Sequence, residues 1–418
     1  MASTFGIPRK KSYRASMSIN ILLLMLISTS MFDLVPFQNI FSGNNSFTYY
    51  VLMMAFMYMR YMGFTFREGI IKHMFPLLLI LIGIFLSFIP AYIFYGQHLY
   101  HSLIVYRRTL CFAFFPLLLS IKPTLRECRT AFYAFSFIYA AASFLGTYYF
   151  PEWIPVQEGM EYIINTDILQ ALTGLVYVPI ALVFSLEQYR ETHRRKYLIL
   201  SIFLFVIIFL NENRTVLASS FFIVVASVLF NLPARSRIAA EAIMVFFFAA
   251  VFVFGWIYIS ALLDETFTQL QNEDYNRVKA FNYFVSCKNG PLAFFLGNGF
   301  ISGNVNSIME DLRQEGIYNS DLGLIGLWHQ FGLLFPLTVL FYIFRGMSKD
   351  HSFHVRGMSI HMLVSGLTMS YFYTFASVTW LCFFLYFSET DDRYFIKKKQ
   401  KREEIARKNI HHYRSLAG

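Results

Sequence analysis

Charge is scarce in this chain. Only 14% of its 418 residues are Asp, Glu, Lys or Arg, while 56% are hydrophobic, far from the soluble norm in which roughly a quarter are charged. That shortage excludes an ordinary soluble globule. Cysteine is equally sparse, with four residues, Cys111, Cys128, Cys287 and Cys382. They fall in two different apolar runs and two different connectors, which excludes a disulfide framework, and no paired metal-ligand spacing is present. Also missing are low-complexity stretches and any repeat relating the two halves, which counts against a repeat-built transporter. What the chain has instead is apolar runs. They predict an all-α, polytopic transmembrane bundle of about twelve spans with one large extracytoplasmic loop. The spans fall near 18–37, 47–62, 74–95, 103–121, 130–150, 168–186, 198–210, 215–232, 238–262, 322–344, 357–371 and 375–388.

Basic residues orient this bundle, because positively charged connectors stay in the cytoplasm. With the amino terminus inside, 28 of the 35 Lys and Arg fall on inner segments, and only Arg107, Arg108, Arg214, Arg277, Lys279, Lys288 and Arg313 remain. Both termini are then cytoplasmic. The net charge of +10 reflects this bias and the tail Lys397 to Arg402, which suits anionic lipid headgroups and not nucleic acid. Arg9 to Arg14 followed by an apolar stretch imitates a signal peptide, but without a small-residue cleavage site it reads as a retained first span. The layout is 1–262 for spans one to nine, 263–318 for the outer loop, 319–388 for spans ten to twelve and 389–418 for the basic tail.

The candidate chemistry lies on the outer side. Arg214 stands in the quartet Asn211-Glu212-Asn213-Arg214 between two apolar runs, the first only 13 residues long. At about 20 Å that run is too short for a hydrocarbon layer of about 30 Å, so the hairpin tip lies below the surface. A sunken arginine costs about 3 kcal/mol unless it faces water or an anion; the plainer alternatives are snorkelling or pairing with Glu212. Arg107 and Arg108 lie inside the outer end of the fourth span; one of the pair points inward, the plainer alternative being that they snorkel with Tyr106 as an interface anchor. Arg277 opens an amphipathic helix over 276–288 in the loop, where its charge opposes the helix dipole and an external anion would offset the cost. Gly297-Asn298-Gly299 reads as a flexible point. Asp321 begins the tenth span, as a helix cap, as a base toward a substrate hydroxyl, or as both. His329 and His361 read as hydrogen-bonded interior histidines. Several arginines without a metal-binding acidic pair describe a diphosphate site needing no metal or other cofactor, since guanidinium groups grip phosphate in pairs of hydrogen bonds at any physiological pH.

Three stretches carry a resemblance to a known family. They are Asn213-Arg214-Thr215-Val216-Leu217, the late loop with Arg277, Phe281 and Phe295-Leu296-Gly297-Asn298-Gly299, and Asn319-Ser320-Asp321 with Gly332-Leu333-Leu334 downstream. Together they resemble the integral-membrane O-antigen ligase and O-antigen/exopolysaccharide polymerase superfamily of bacterial surface-polysaccharide assembly. The ligases typically carry a histidine where Asp321 stands, so the likeness leans to a polymerase. The resemblance implies an enzyme of the bacterial inner membrane that transfers glycosyl groups between undecaprenyl-diphosphate-linked oligosaccharides on the outer face. Arg214, Arg277 and Arg108 would hold the donor diphosphate, Asp321 would orient or deprotonate the acceptor, and Glu212, Arg107 and His329 are secondary candidates. Its partners would be the lipid-linked substrate, membrane lipids and a chain-length regulator or other assembly protein. The rival readings are a ligase, which differs in acceptor, and a lipid-linked oligosaccharide flippase.

Overall fold

The computed structural model describes residues 11–41, 43–62, 73–150, 174–211, 213–229, 276–285, 290–301, 322–367 and 374–391. Every regular element among them is a helix: α1 (Lys11–Ser28), α2 (Val35–Phe41), α3 (Gly43–Met62), α4 (Phe75–Leu86), α5 (Phe88–Tyr95), α6 (Leu99–Val105), α7 (Phe114–Ile121), α8 (Leu125–Tyr148), α9 (Val178–Thr192), α10 (Arg195–Leu210), α11 (Arg214–Leu229), α12 (Asn276–Val285), α13 (Gly290–Leu296), α14 (Gly323–Phe331), α15 (Leu334–Gly346), α16 (Phe353–Ser365) and α17 (Phe375–Thr390). The all-α expectation holds. Three stretches are long and apolar enough to cross a membrane, Phe75–Tyr95, Leu99–Ile121 and Leu125–Tyr148. The ninth expected span, at 238–262, lies outside the described residues.

Several apolar runs are wound differently from a plain span. The first does not cross as one helix over 18–37. Instead α1 starts earlier and stops at Ser28, and Ser30 to Asp33 all take left-handed φ values between 49° and 70°. Such a turn is costly for residues bearing a Cβ. It is held by Phe32, which is buried and meets the rings of Phe135 and Tyr139 edge-on at 5.5 and 5.6 Å. The run at 99–121 is α-helical only at its ends, with Tyr106–Ala113 wound as a 3₁₀ helix. The tenth run breaks into α14 and α15 at Gly332, whose φ is 69°. The short run before Arg214 is longer than its apolar core implies, because α10 begins at Arg195 and spans 16 residues.

Packing is dominated by aromatic side chains, which suits helices that draw little hydrophobic driving force from lipid and rely on close contact. Phe132 meets Tyr177, Phe184 and Phe383 with centroids 5.9, 5.6 and 5.1 Å away, all edge-on. This cluster joins α8, α9 and α17. Hydroxyl groups stitch the same interior: Tyr50 to Thr379 at 2.6 Å, Ser28 to Tyr177 at 2.9 Å, and Ser185 to Ser201 at 2.8 Å. Each satisfies polar atoms that lipid would leave unpaired. Cys111, Cys128 and Cys382 are buried free thiols.

Candidate functional site

Ion pairs gather at one end of the bundle. Arg129 Nη2 lies 2.7 Å from Glu187 Oε2, and His354 Nδ1 lies 2.9 Å from Glu187 Oε1. Arg345 and His73 flank Glu389 at 2.7 and 2.9 Å. His351 meets Asp391 at 2.9 Å, and Ser352 donates to the same carboxylate from both its N–H and its hydroxyl at 2.7 Å. Glu187 also accepts the His354 N–H at 3.2 Å. The amino end of α16 thus has orphan donors satisfied by carboxylates from α9 and from the end of α17, a tertiary form of helix capping. Burial alone would raise the Glu187 carboxyl, but the His354 and Arg129 charges outweigh it and hold it down at about 2. The Asp391 carboxyl is likewise held at about 2, against its burial, by hydrogen bonds from His351 and Ser352. Burial opposes charge on His354 too, yet Glu187 raises its pKa above the ordinary histidine value. Residue 73, the start of α8 and residues 187–190, 345–354 and 389–391 therefore share one end.

The candidate arginines lie toward the other end. In α10, Arg195 to Leu210 climbs about 24 Å away from the ion pairs. There Asn211, buried, accepts a hydrogen bond from Tyr139 at 3.1 Å and donates to the Ile207 carbonyl at 2.7 Å. Asn213 then caps α11, its Oδ1 accepting the Val216 N–H at 3.1 Å. Arg214 is the first residue of α11 and is half-buried. A cation there sits at the positive end of the helix dipole, a position that favours an anion nearby.

Arg108 approaches the same end from the 3₁₀ segment. It is half-buried, with its guanidinium 5.6 Å from the Phe375 ring centroid at the start of α17. Its neighbour Arg107 is exposed. One interior layer relates the two arginines. Ser219 of α11 bonds His361 at 2.7 Å, and the His361 ring lies 4.9 Å from Trp380 of α17. Arg214 precedes Ser219 by five residues and Phe375 precedes Trp380 by five, so each lies about 7.5 Å beyond that layer. Both helices start at the end away from the ion pairs, so the displacement has the same direction. Arg214 and the Phe375 ring beside Arg108 are thus displaced toward the same end.

The remaining candidates distribute differently. Glu212 and Asp321 lie outside the described residues, and so does the side chain of Arg277, whose backbone opens α12. His329 is half-buried in α14, with Asn298 Nδ2 donating to its Nε2 at 2.9 Å and the Phe284 ring of α12 at 4.5 Å. Two further residues of this region were not legible as functional. Tyr106 is no interface anchor: it is buried, its hydroxyl bonds Ser87 at 3.1 Å, and the Phe300 N–H donates to it. The 3₁₀ winding explains this, since a three-residue period puts Tyr106 and Phe112 on one inward face. Asn298 is no flexible point but is buried against His329. The only signal was the trio of glycines at 297, 299 and 332, which marks left-handed backbone as well as it marks mobility.

A scan of the chain against protein-family models and a search of the curated proteins each found no match.

Proposed function

We propose that the chain is a multi-pass glycosyltransferase of the bacterial inner membrane, with about twelve spans and both termini cytoplasmic. It extends a surface polysaccharide by joining undecaprenyl-diphosphate-linked oligosaccharides on the outer face. Arg214, Arg108 and Arg277 grip the donor diphosphate in pairs of hydrogen bonds and stabilise the charge that grows as the anomeric carbon–oxygen bond breaks. Asp321 orients or deprotonates the acceptor hydroxyl, and a single displacement inverts the anomeric centre. The lipid tail stays between helices throughout.

The observation that carries this reading is that Arg108 and Arg214 both lie toward the end opposite the ion pairs. Phe375, under Arg108, lies 14 residues from Glu389, or about 21 Å along α17. If the ion pairs mark one interface of a layer about 30 Å thick, both arginines sit below the other. A guanidinium group at that depth can reach the diphosphate of a lipid whose tail stays in the bilayer. The resemblance through residues 198–344 supports the particular substrate.

The test is elongation of purified lipid-linked repeat units by the purified protein, with and without chelator. Growth of polymer in both arms is expected, together with loss of growth in Arg214→Ala. Transfer only to a lipid-anchored core sugar would move the reading to a ligase. Accumulation of single units on the inner leaflet in cells carrying Arg214→Ala would replace it with a flippase.

A further inference from the structure

Residues 297–301 form a short non-helical insert that lies along the break between α14 and α15. Backbone hydrogen bonds fasten it and the end of α13 to the broken span: Asn298 N–H to His329 O at 2.7 Å, Gly299 N–H to Gln330 O at 2.9 Å, and Leu333 N–H back to Phe295 O at 3.1 Å. The approach leaves no room for side chains. A Cβ on Gly297 would run into the Gln330 carbonyl and one on Gly332 into the Phe295 carbonyl, and φ is 81° and 69° at these two positions. Non-helical backbone is tolerated within a membrane bundle only where protein or a watery cavity satisfies it. Here the protein does so.

The insert reaches one step further. Phe300 donates its N–H to the Tyr106 hydroxyl, and its carbonyl accepts from Gln97 at 3.0 Å. Gln97 in turn donates to Ser102 of α6 at 2.9 Å. Tyr106 opens the 3₁₀ segment that carries Arg108 two residues on and the fully buried Cys111 three residues after that. A 3₁₀ stretch of eight residues is long for a helix type seldom sustained beyond three or four, so it needs support from elsewhere in the fold.

We propose that this insert is a positioning element. Seated in the helix break and bonded to Tyr106, it fixes the 3₁₀ winding of Tyr106–Ala113 and thereby the place of Arg108. Residues 290–301, which precede the broken span, and Arg108 of the 3₁₀ segment then move as one unit. What Arg108 binds rests on the function proposed above; the mechanical link does not.

The thiol of Cys111 reports the link directly. Full-length protein carrying Cys287→Ser, in lipid nanodiscs, is treated with a maleimide, and labelling of Cys111, Cys128 and Cys382 is followed by peptide mass mapping. Asn298→Ala and Gly297→Ala unseat the insert, and each is expected to raise Cys111 labelling about tenfold, the effect of losing roughly one buried hydrogen bond, while Cys128 and Cys382 stay protected. Equal protection of all three thiols in both variants overturns the proposal. If Gly297→Ala exposes all three together, the fold itself has opened and Tyr106→Phe decides, read beside Ser87→Ala, because the Tyr106 hydroxyl receives Phe300 and also bonds Ser87. Selective labelling of Cys111 in Tyr106→Phe beyond that in Ser87→Ala upholds the link, and equal or unchanged labelling sinks it. Failure of the unaltered protein to elongate any lipid-linked substrate would remove the proposed function while leaving the labelling result to stand alone.

Discussion

At the end that gathers Glu187, Glu389 and Asp391, each carboxylate holds a histidine, and Arg129 and Arg345 are paired with two of them. Toward the other end, among the described residues, backbone N–H groups meet carbonyls and hydroxyls bridge helices. Arginines lie over rings at both ends, Arg108 over Phe375 at one and Arg129 and Arg345 over Phe184 and Tyr342 at the other. The carboxylate pairs suit a structural joint. Arg108, on an aromatic face, and Arg214, on a helix amino end, are the cations that the proposed function assigns to an anion.

Substitutions sharpen or break that contrast. The largest effect is expected from Glu187→Ala, which strands Arg129, His354 and an orphan N–H of α16; breaking a buried pair of this kind costs about 3 kcal/mol or more. Thermal unfolding in detergent measures it, and a midpoint unchanged from the parent would dissolve the idea of a structural joint. Arg214→Ala is expected to reduce elongation about a hundredfold, the scale of losing one charge-stabilising donor, while the unfolding midpoint falls much less than in Glu187→Ala. If Arg214→Ala instead unfolds the protein as Glu187→Ala does, the two ends are alike and the site reading loses its basis. Tyr139→Phe removes the donor to Asn211 behind the Arg214 hairpin and is expected to cost about 1 kcal/mol, read by the same melt.

The pH response is the mildest test. Glu187 titrates in the fold at about 2 instead of its ordinary 4.5, so its stabilisation is complete above that ordinary value and fades as pH falls toward 2. His354 is raised above its ordinary 6.5, so its stabilisation is complete below 6.5 and fades as pH rises through the shifted value. The gap in unfolding midpoint between the parent and Glu187→Gln should therefore be widest between 4.5 and 6.5 and should narrow on either side. A gap that keeps widening above 6.5 would contradict the Glu187–His354 pairing.

Much of the helix layout was legible because apolar runs report themselves locally. The run at 130–150 falls on α8, that at 215–232 on α11, and that at 375–388 on α17. Interruptions inside runs were not legible: a hydropathy window averages across Tyr106–Ala113 and Gly332 without registering that the winding changes. Tyr106 as an interface anchor belonged to the snorkelling alternative for its two arginine neighbours, and the change of helical period turns it inward. The pairings Asn298 with His329 and His351 with Asp391 were invisible for another reason, since each partner is chosen by the packing of separate helices. Arg214 and Arg108 stood out as scarce charges on apolar segments.

The capping of α16 by Glu187 and Asp391 has a consequence for biogenesis. Ribosomal synthesis delivers α17 after every other helix described, and Asp391 lies just past its last turn. Until that turn emerges, His351 and Ser352 have no carboxylate to receive them, and the nascent bundle waits with one seam open. A chain carrying Asp391→Ala, or one cut at Ser388 that loses Glu389 as well, would keep the apolar length of α17 and still lack the acid that closes the seam. Such a chain should insert normally, fail to mature and be cleared by membrane proteases, and pulse-chase turnover would register this.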